Sequence, residues 1–179
     1  MGNLEFEPWL EANARPIFDR LLRELGRVFQ PKVAWGYFPC RSEGNALLIF
    51  DERGTSEIAR FDFPRQMGGR HLCLADYFRT DELDVVGFSA VTMGDAISEH
   101  ERGLFERGEF QEYLFVHGLG VEMAEAMAEY WHLQMRRELG LGGEPESMKE
   151  LFGAKYHGSR YSFGYPACPR LEDQTKLFA

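Results

Sequence analysis

The 179-residue chain is short of cysteine, of long apolar runs and of positive charge. Its three cysteines, Cys40, Cys73 and Cys168, are odd in number and far apart. Their spacing matches neither a metal-type nor a redox-type pattern, and a reducing, cytoplasmic compartment is the simplest reading. No apolar stretch is long enough to cross a bilayer as a helix. The first residues lack a basic region followed by an apolar run, so they do not read as a signal peptide. Aspartate and glutamate number 29 against 20 lysines and arginines, a formal net charge of −9. That balance speaks against a nucleic-acid backbone or an anionic membrane as the main partner. There is no Gly-x-Ser-x-Gly nucleophile elbow and no glycine loop with a phosphate-cradling lysine.

What is present is the material of an ordinary soluble globular domain, with 44% hydrophobic residues and fifteen Phe to fill a core. Residues 1–31 read as an N-terminal helix. Ile17, Leu21, Leu22, Leu25, Val28 and Phe29 recur at helical spacing before Pro31 stops the period. A strand is expected at 33–38, ending at Pro39. A glycine turn at Gly44 leads to a second strand at 46–50, and a turn at Gly54 to a third at 56–63. Short strands joined by short polar turns suggest an antiparallel meander. The apolar stretch 72–78 is ambiguous between strand and short helix. Residues 84–93 form the strongest strand, and their near-continuous apolar character suggests a central, doubly covered position. A helical section at 96–117 is weakened by Gly103 and Gly108. A helix is expected at 121–139, closed by Gly140, Gly142 and Gly143, and a short one at 146–152. From Gly153 the chain reads as loop. Strands followed by helices without strict alternation give an α+β fold: a twisted antiparallel β-sheet with flanking helices.

Several constellations have a functional and a bland reading. Gly118-Leu-Gly120 is a partial dinucleotide fingerprint, but the third glycine and a following strand at the right distance are missing. A helix junction is the better reading. Glu129-Tyr-Trp-His132 has the Glu-x-x-His spacing of carboxylate-bridged metal sites, yet no second copy exists, so a hydrogen-bonded structural histidine is favoured. Cys168 has no neighbour in sequence that would activate it. Arg160-Tyr-Ser-Phe-Gly164-Tyr165-Pro166-Ala-Cys168-Pro169 forms a stiff loop around one arginine. It could offer a guanidinium and main-chain groups to a ligand carboxylate. On the residues alone, a surface loop pinned to the core by Tyr161, Phe163 and Tyr165 is preferred, and both readings stay open.

The ordered set of segments resembles one family. Tyr37-Phe-Pro39 comes first, then Leu72-Cys-Leu-Ala-Asp76-Tyr77, then Val86-Gly87-Phe88 with Ala90-Val-Thr92 and Gly94. Met123-Ala-Glu125-Ala-Met127-Ala-Glu129-Tyr130 with His132 follows, and the loop from Arg160 to Pro169 closes the set. Together they resemble the activation domain of cobalamin-dependent methionine synthase, over roughly residues 32–170. The resemblance implies a domain, 32–179, that binds S-adenosylmethionine and presents its methyl group for reductive methylation of cob(II)alamin. Cobalamin is held by a separate domain, and the electron comes from flavodoxin or a flavoprotein reductase. The cobalamin-binding domain and the flavoprotein are thus the implied partners. By the same resemblance Arg160 grips the ligand carboxylate, and Tyr165 lines the pocket. Ser162 stands where main-chain polar groups are used, and Glu125 faces the ligand's positive charges. No catalytic acid or base and no resident metal are expected. The family's earlier Asp-Trp segment, which supplies an aspartate to the ligand, has no match before residue 31, and the family continues beyond the final loop. The chain is therefore expected to be a shortened member or a piece of a longer polypeptide. The rival reading is a docking module for the cobalamin domain or flavoprotein without a ligand of its own.

Overall fold

A computed structural model describes residues 3–142 and 157–178, with side chains from residue 6 onward. The expected helix at 146–152 lies outside the described residues. The elements are helices α1 (Asn3–Asn13) and α2 (Arg15–Leu25), strands β1 (Lys32–Glu43), β2 (Ala46–Phe50), β3 (Glu57–Asp62) and β4 (Asp84–Thr92), and helices α3 (Asp95–Glu106) and α4 (Phe110–Glu138). Two 3-10 helices, Leu74–Tyr77 and Leu171–Leu177, complete the set. The single N-terminal helix of the sequence reading is thus two, and the second ends at Leu25 rather than at Pro31. Pro16 enters at the start of α2, where its missing N–H interrupts the ladder of a continuous helix.

The sheet order is β3-β2-β1-β4. β1 and β2 pair antiparallel from Cys40 opposite Ile49 to Glu43 opposite Ala46, leaving a two-residue hairpin in which Gly44 takes φ +62°. β2 and β3 also pair antiparallel, from Ala46 opposite Asp62 to Phe50 opposite Glu57. The expected meander is therefore present, with two corrections. β1 continues through Pro39, which lies just ahead of the stretch bonded to β2 and so takes no place in that ladder. The strand at 84–92 is an edge strand whose burial alternates, and the doubly covered strand is β2, buried at all five positions. The exposed positions of β4 are Val85, Gly87, Ser89 and Thr92, so the strand is an alternation of apolar with small or polar residues rather than a continuous apolar run.

The chain divides into two compact units, Met1–Ala34 with Ala90–Trp131, and Trp35–Ser89 with His132–Ala179. The first has a core of Leu21, Leu25, Phe29, Met93, Ile97, Leu104, Val116 and Leu119. Its helices α2 and α4 are also joined by Arg20, which meets both oxygens of Glu112 at 2.7 and 2.8 Å. α4 begins at Phe110 and runs unbroken through Gly118 and Gly120, so neither glycine marks a helix junction. The break falls at Gly108, which takes φ +75°.

The second unit is built on Cys40, Leu47, Ile49 and Phe61, with Phe38, Phe63, Phe78, Phe88, Phe163 and Leu177 packed against them. Phe61 is 1% exposed and lies 5.3 Å from the Phe88 ring and 5.7 Å from the Phe163 ring. The ambiguous stretch at 72–78 resolves as a 3-10 helix because Asp76 closes it: the carboxylate accepts from the Cys73 N–H at 2.9 Å. Arg65 grips the same carboxylate through two bonds of 2.7 Å and donates to the His71 carbonyl at 2.7 Å.

Arg65, with the Cys73 amide second, holds the Asp76 carboxyl down to about 2. An unfolded aspartate titrates near about 3.9, so this contribution to stability is complete above that value and is lost as pH falls toward 2. Asp76→Asn is expected to lower the melting temperature at neutral pH. The gap to wild type should close as melts are repeated at falling pH through that window. A gap independent of pH would remove the ion pair as its cause. Phe61→Ala is expected to destabilise by about 3–5 kcal/mol in urea unfolding, the cost of emptying a buried aromatic site.

Candidate functional site

The loop expected to carry the chemistry belongs to the second unit, and its shape follows from a few residues. Tyr165-Pro166-Ala167-Cys168 is a tight turn in which the Cys168 N–H donates to the Tyr165 carbonyl at 2.9 Å. Proline at the second position pre-sets the φ that such a turn needs. The Gly164 N–H donates to the Cys168 carbonyl at 2.9 Å, closing the turn from the other side. Gly164 has φ +95°, a backbone conformation that requires glycine; a Cβ there would sit 2.9 Å from Cδ2 of the exposed Leu171 side chain, which could move aside.

Residues 161, 163 and 165 divide their labour. Phe163 enters the core beside Phe61, whereas Tyr161 and Tyr165 remain 50% and 59% exposed. The loop is therefore pinned by one of the three aromatics that the sequence offered for that purpose. Downstream, Lys176 donates to the Arg60 carbonyl at 2.5 Å and stands 4.9 Å from the centre of the Phe61 ring. It also pairs with the buried Asp173 at 2.6 Å. The final stretch, read from sequence as loop, is thus partly a 3-10 helix that clamps the turn to the sheet.

Of the four expected ligand residues, three lie together in this unit. Arg160 is half-buried, and its Nη1 donates to Ser162 Oγ at 3.3 Å. The Ser162 carbonyl accepts from the Tyr165 N–H at 3.4 Å and from the Cys168 thiol at 2.9 Å. Glu125 is exposed on α4 in the part belonging to the first unit. Cys168 itself is buried, and burial, with the Asp173 charge second, pushes its thiol pKa up. That is the opposite of an activated nucleophile, and the thiol acts as a hydrogen-bond donor tying the turn together. Among the described residues no three His, Cys, Asp or Glu side chains come together as metal ligands. None of the described helices is long and apolar enough to cross a membrane.

Two residues of this neighbourhood escaped the sequence reading. Arg136, near the end of α4, is 4% exposed and donates from Nε to the His157 carbonyl at 2.7 Å and from Nη2 to the Gly142 carbonyl at 3.0 Å. The available signal was its place one turn beyond His132 and beside Met135, which puts a cation on the buried stripe of the helix. Glu138 accepts from the Trp35 indole at 3.3 Å and from the Tyr37 hydroxyl. Burial, with the Glu138 carboxylate second, raises the Tyr37 pKa to about 12, so the phenol stays a donor. Trp35 and Tyr37 alternate on one face of β1, a pattern that the sequence does display.

Residues 8–179 match the family described as the vitamin B12 dependent methionine synthase activation domain. The chain belongs to this family. It is 40% identical over 194 residues to methionine synthase of Mycobacterium tuberculosis (strain ATCC 25618 / H37Rv), an alignment covering 97% of this chain and 16% of that protein. Against methionine synthase of Mycobacterium leprae (strain TN) the identity is 38% over 191 residues, covering 96% and 16%. The chain thus spans about a sixth of the length of these curated relatives. The crystal structure of the MetH reactivation domain bound to AdoHcy superposes with a TM-score of 0.82 at 27% identity, covering 94% of this chain and 57% of that one. The α+β architecture and the family expected from the sequence are both correct. The family match begins at residue 8, well ahead of the stretch where the resemblance was read.

All three cysteines are buried. Native protein is therefore expected to react with an aromatic disulfide reagent at a small fraction of the rate seen in denaturant. Rapid labelling of Cys168 in the native state would contradict the turn geometry described here.

Proposed function

We propose that this chain binds S-adenosylmethionine and orients its methyl group for the reactivation of cobalamin-dependent methionine synthase. The observation that carries the reading is Arg160. It is half-buried on a loop held at several points, within a family member whose structural neighbour was crystallised with AdoHcy. AdoHcy and S-adenosylmethionine share the amino-acid carboxylate that a guanidinium fork suits. Arg160 would grip that carboxylate. Tyr165, with its exposed ring beside the rigid turn, would line the pocket, and the main chain at Ser162 would supply polar contacts. Glu125 would face the ligand's ammonium and sulfonium charges.

Cobalamin, carried by a separate domain of the larger enzyme, supplies the methyl-accepting chemistry. This chain contributes binding and orientation. Alignment of a bound donor accounts for rate without an acid or base, because loss of the methyl group leaves the sulfonium as a neutral thioether that needs no proton. The partners that fit are the cobalamin-binding domain and a one-electron donor of the flavodoxin or flavoprotein-reductase kind, in the cytoplasm. Residues 32–179 would carry the ligand site.

Calorimetry of the chain with S-adenosylmethionine tests the reading. Binding is expected, and Arg160→Ala should weaken it by about 1.5–3 kcal/mol, the range for a hydrogen bond to a charged group. Absence of heat at millimolar ligand would leave only the docking function.

A further inference from the structure

We infer that Arg136 is a positioning residue for Arg160, directing the backbone that enters the ligand loop. The inference rests on the ligand reading above and names what holds its key side chain in place. A guanidinium buried as deeply as that of Arg136 is costly unless its donors are used. Here two of them meet carbonyls on separate stretches of chain, Gly142 at 3.0 Å and His157 at 2.7 Å. The Leu141 N–H returns to the Arg136 carbonyl at 2.9 Å, so the residue is braced through its backbone as well.

His157 is three residues ahead of Arg160. Between them Gly158 takes φ +80°, and a Cβ there would sit 3.2 Å from Leu141 Cδ1 and 3.9 Å from Arg136 Cγ. The chain therefore passes against the stem of the arginine at a point where only glycine fits without strain. On the far side of Arg160 the next fixed points are Ser162, whose carbonyl takes the Cys168 thiol, and Phe163 in the core. Arg160 thus sits in the middle of a short span held at both ends. The upstream end depends on a planar fork that reaches two carbonyls at once. Lysine would keep the charge at 136 but lacks that fork.

The test uses the whole chain and S-adenosylmethionine in calorimetry, with the fold of each variant checked by circular dichroism. Arg136→Lys is expected to weaken binding about tenfold, the effect of one lost charge-assisted bond. In an Arg160→Ala background the same change should matter by less than about twofold, because the group through which it acts is gone. Equal losses in both backgrounds would mean general destabilisation and overturn the inference, as would unchanged affinity. Gly158→Ala disturbs the same span without touching a buried charge. It should reproduce the non-additivity even if Arg136→Lys fails to fold. If the wild type binds no S-adenosylmethionine, the ligand reading fails by itself. Amide hydrogen exchange then decides the positioning role: faster exchange at residues 160–165 in Arg136→Lys supports it, and unchanged exchange overturns it.

Discussion

Phe61 and the rings packed around it are what the loop depends on. The segment from His157 to Arg170 has only a single bridge, Tyr165 to Cys168, in place of a strand ladder or a helix. An irregular segment of that length keeps one shape only if side chains hold it against something rigid, since each ordered residue costs about 1–2 kcal/mol of backbone entropy. Phe163 docks on Phe61 from one side of the turn, and Lys176 covers the same ring from the other. Phe61 lies on β3, bonded to the fully buried β2. The order of the loop is thus borrowed from a strand that is itself held against the fully buried β2.

A loop of this kind gives its polar groups two tasks. The carbonyls of Ser162, Tyr165 and Cys168 are taken up by the turn, each receiving an N–H or a thiol within the loop. The side chains of Tyr161 and Tyr165 are left outward. Rigidity and presentation therefore come from different atoms of the same residues. Orientation of a sulfonium ligand needs no more than a stiff frame and a few groups aimed at it. Cys168 fits that pattern, being used for its geometry and shielded from its own chemistry.

Much of this was legible in the sequence. The meander followed from β-formers between glycine turns, and the stiff turn followed from Pro166 between Tyr165 and Cys168. The family followed from the order of segments, each modest alone. What escaped depended on contacts distant in sequence. β4 carries Gly87, Ser89 and Thr92 at its exposed positions, and its place at the edge of the sheet, set by pairing with a strand far back in the chain, leaves it less covered than β2. Gly118 and Gly120 resemble a helix start, yet the propensity cost of two glycines is outweighed by the packing of Val116 and Leu119 in the core around them. Arg136 is one of two adjacent cations near the end of a helix, and nothing local in sequence says that its partners are carbonyls at 142 and 157.

Gly87 connects these parts through an atom that it does not have. A Cβ at that position of β4 would lie 2.6 Å from the terminal methyl of Met135 and 3.5 Å from the Tyr37 ring. The Met135 methyl therefore lies against bare backbone, in space that a side chain at 87 would claim. A small side chain introduced there would turn the end of that flexible thioether aside and then meet the Tyr37 ring at ordinary contact distance. Position 87 is thus cushioned by a methionine, and tolerance to change at this site should follow thickness rather than polarity.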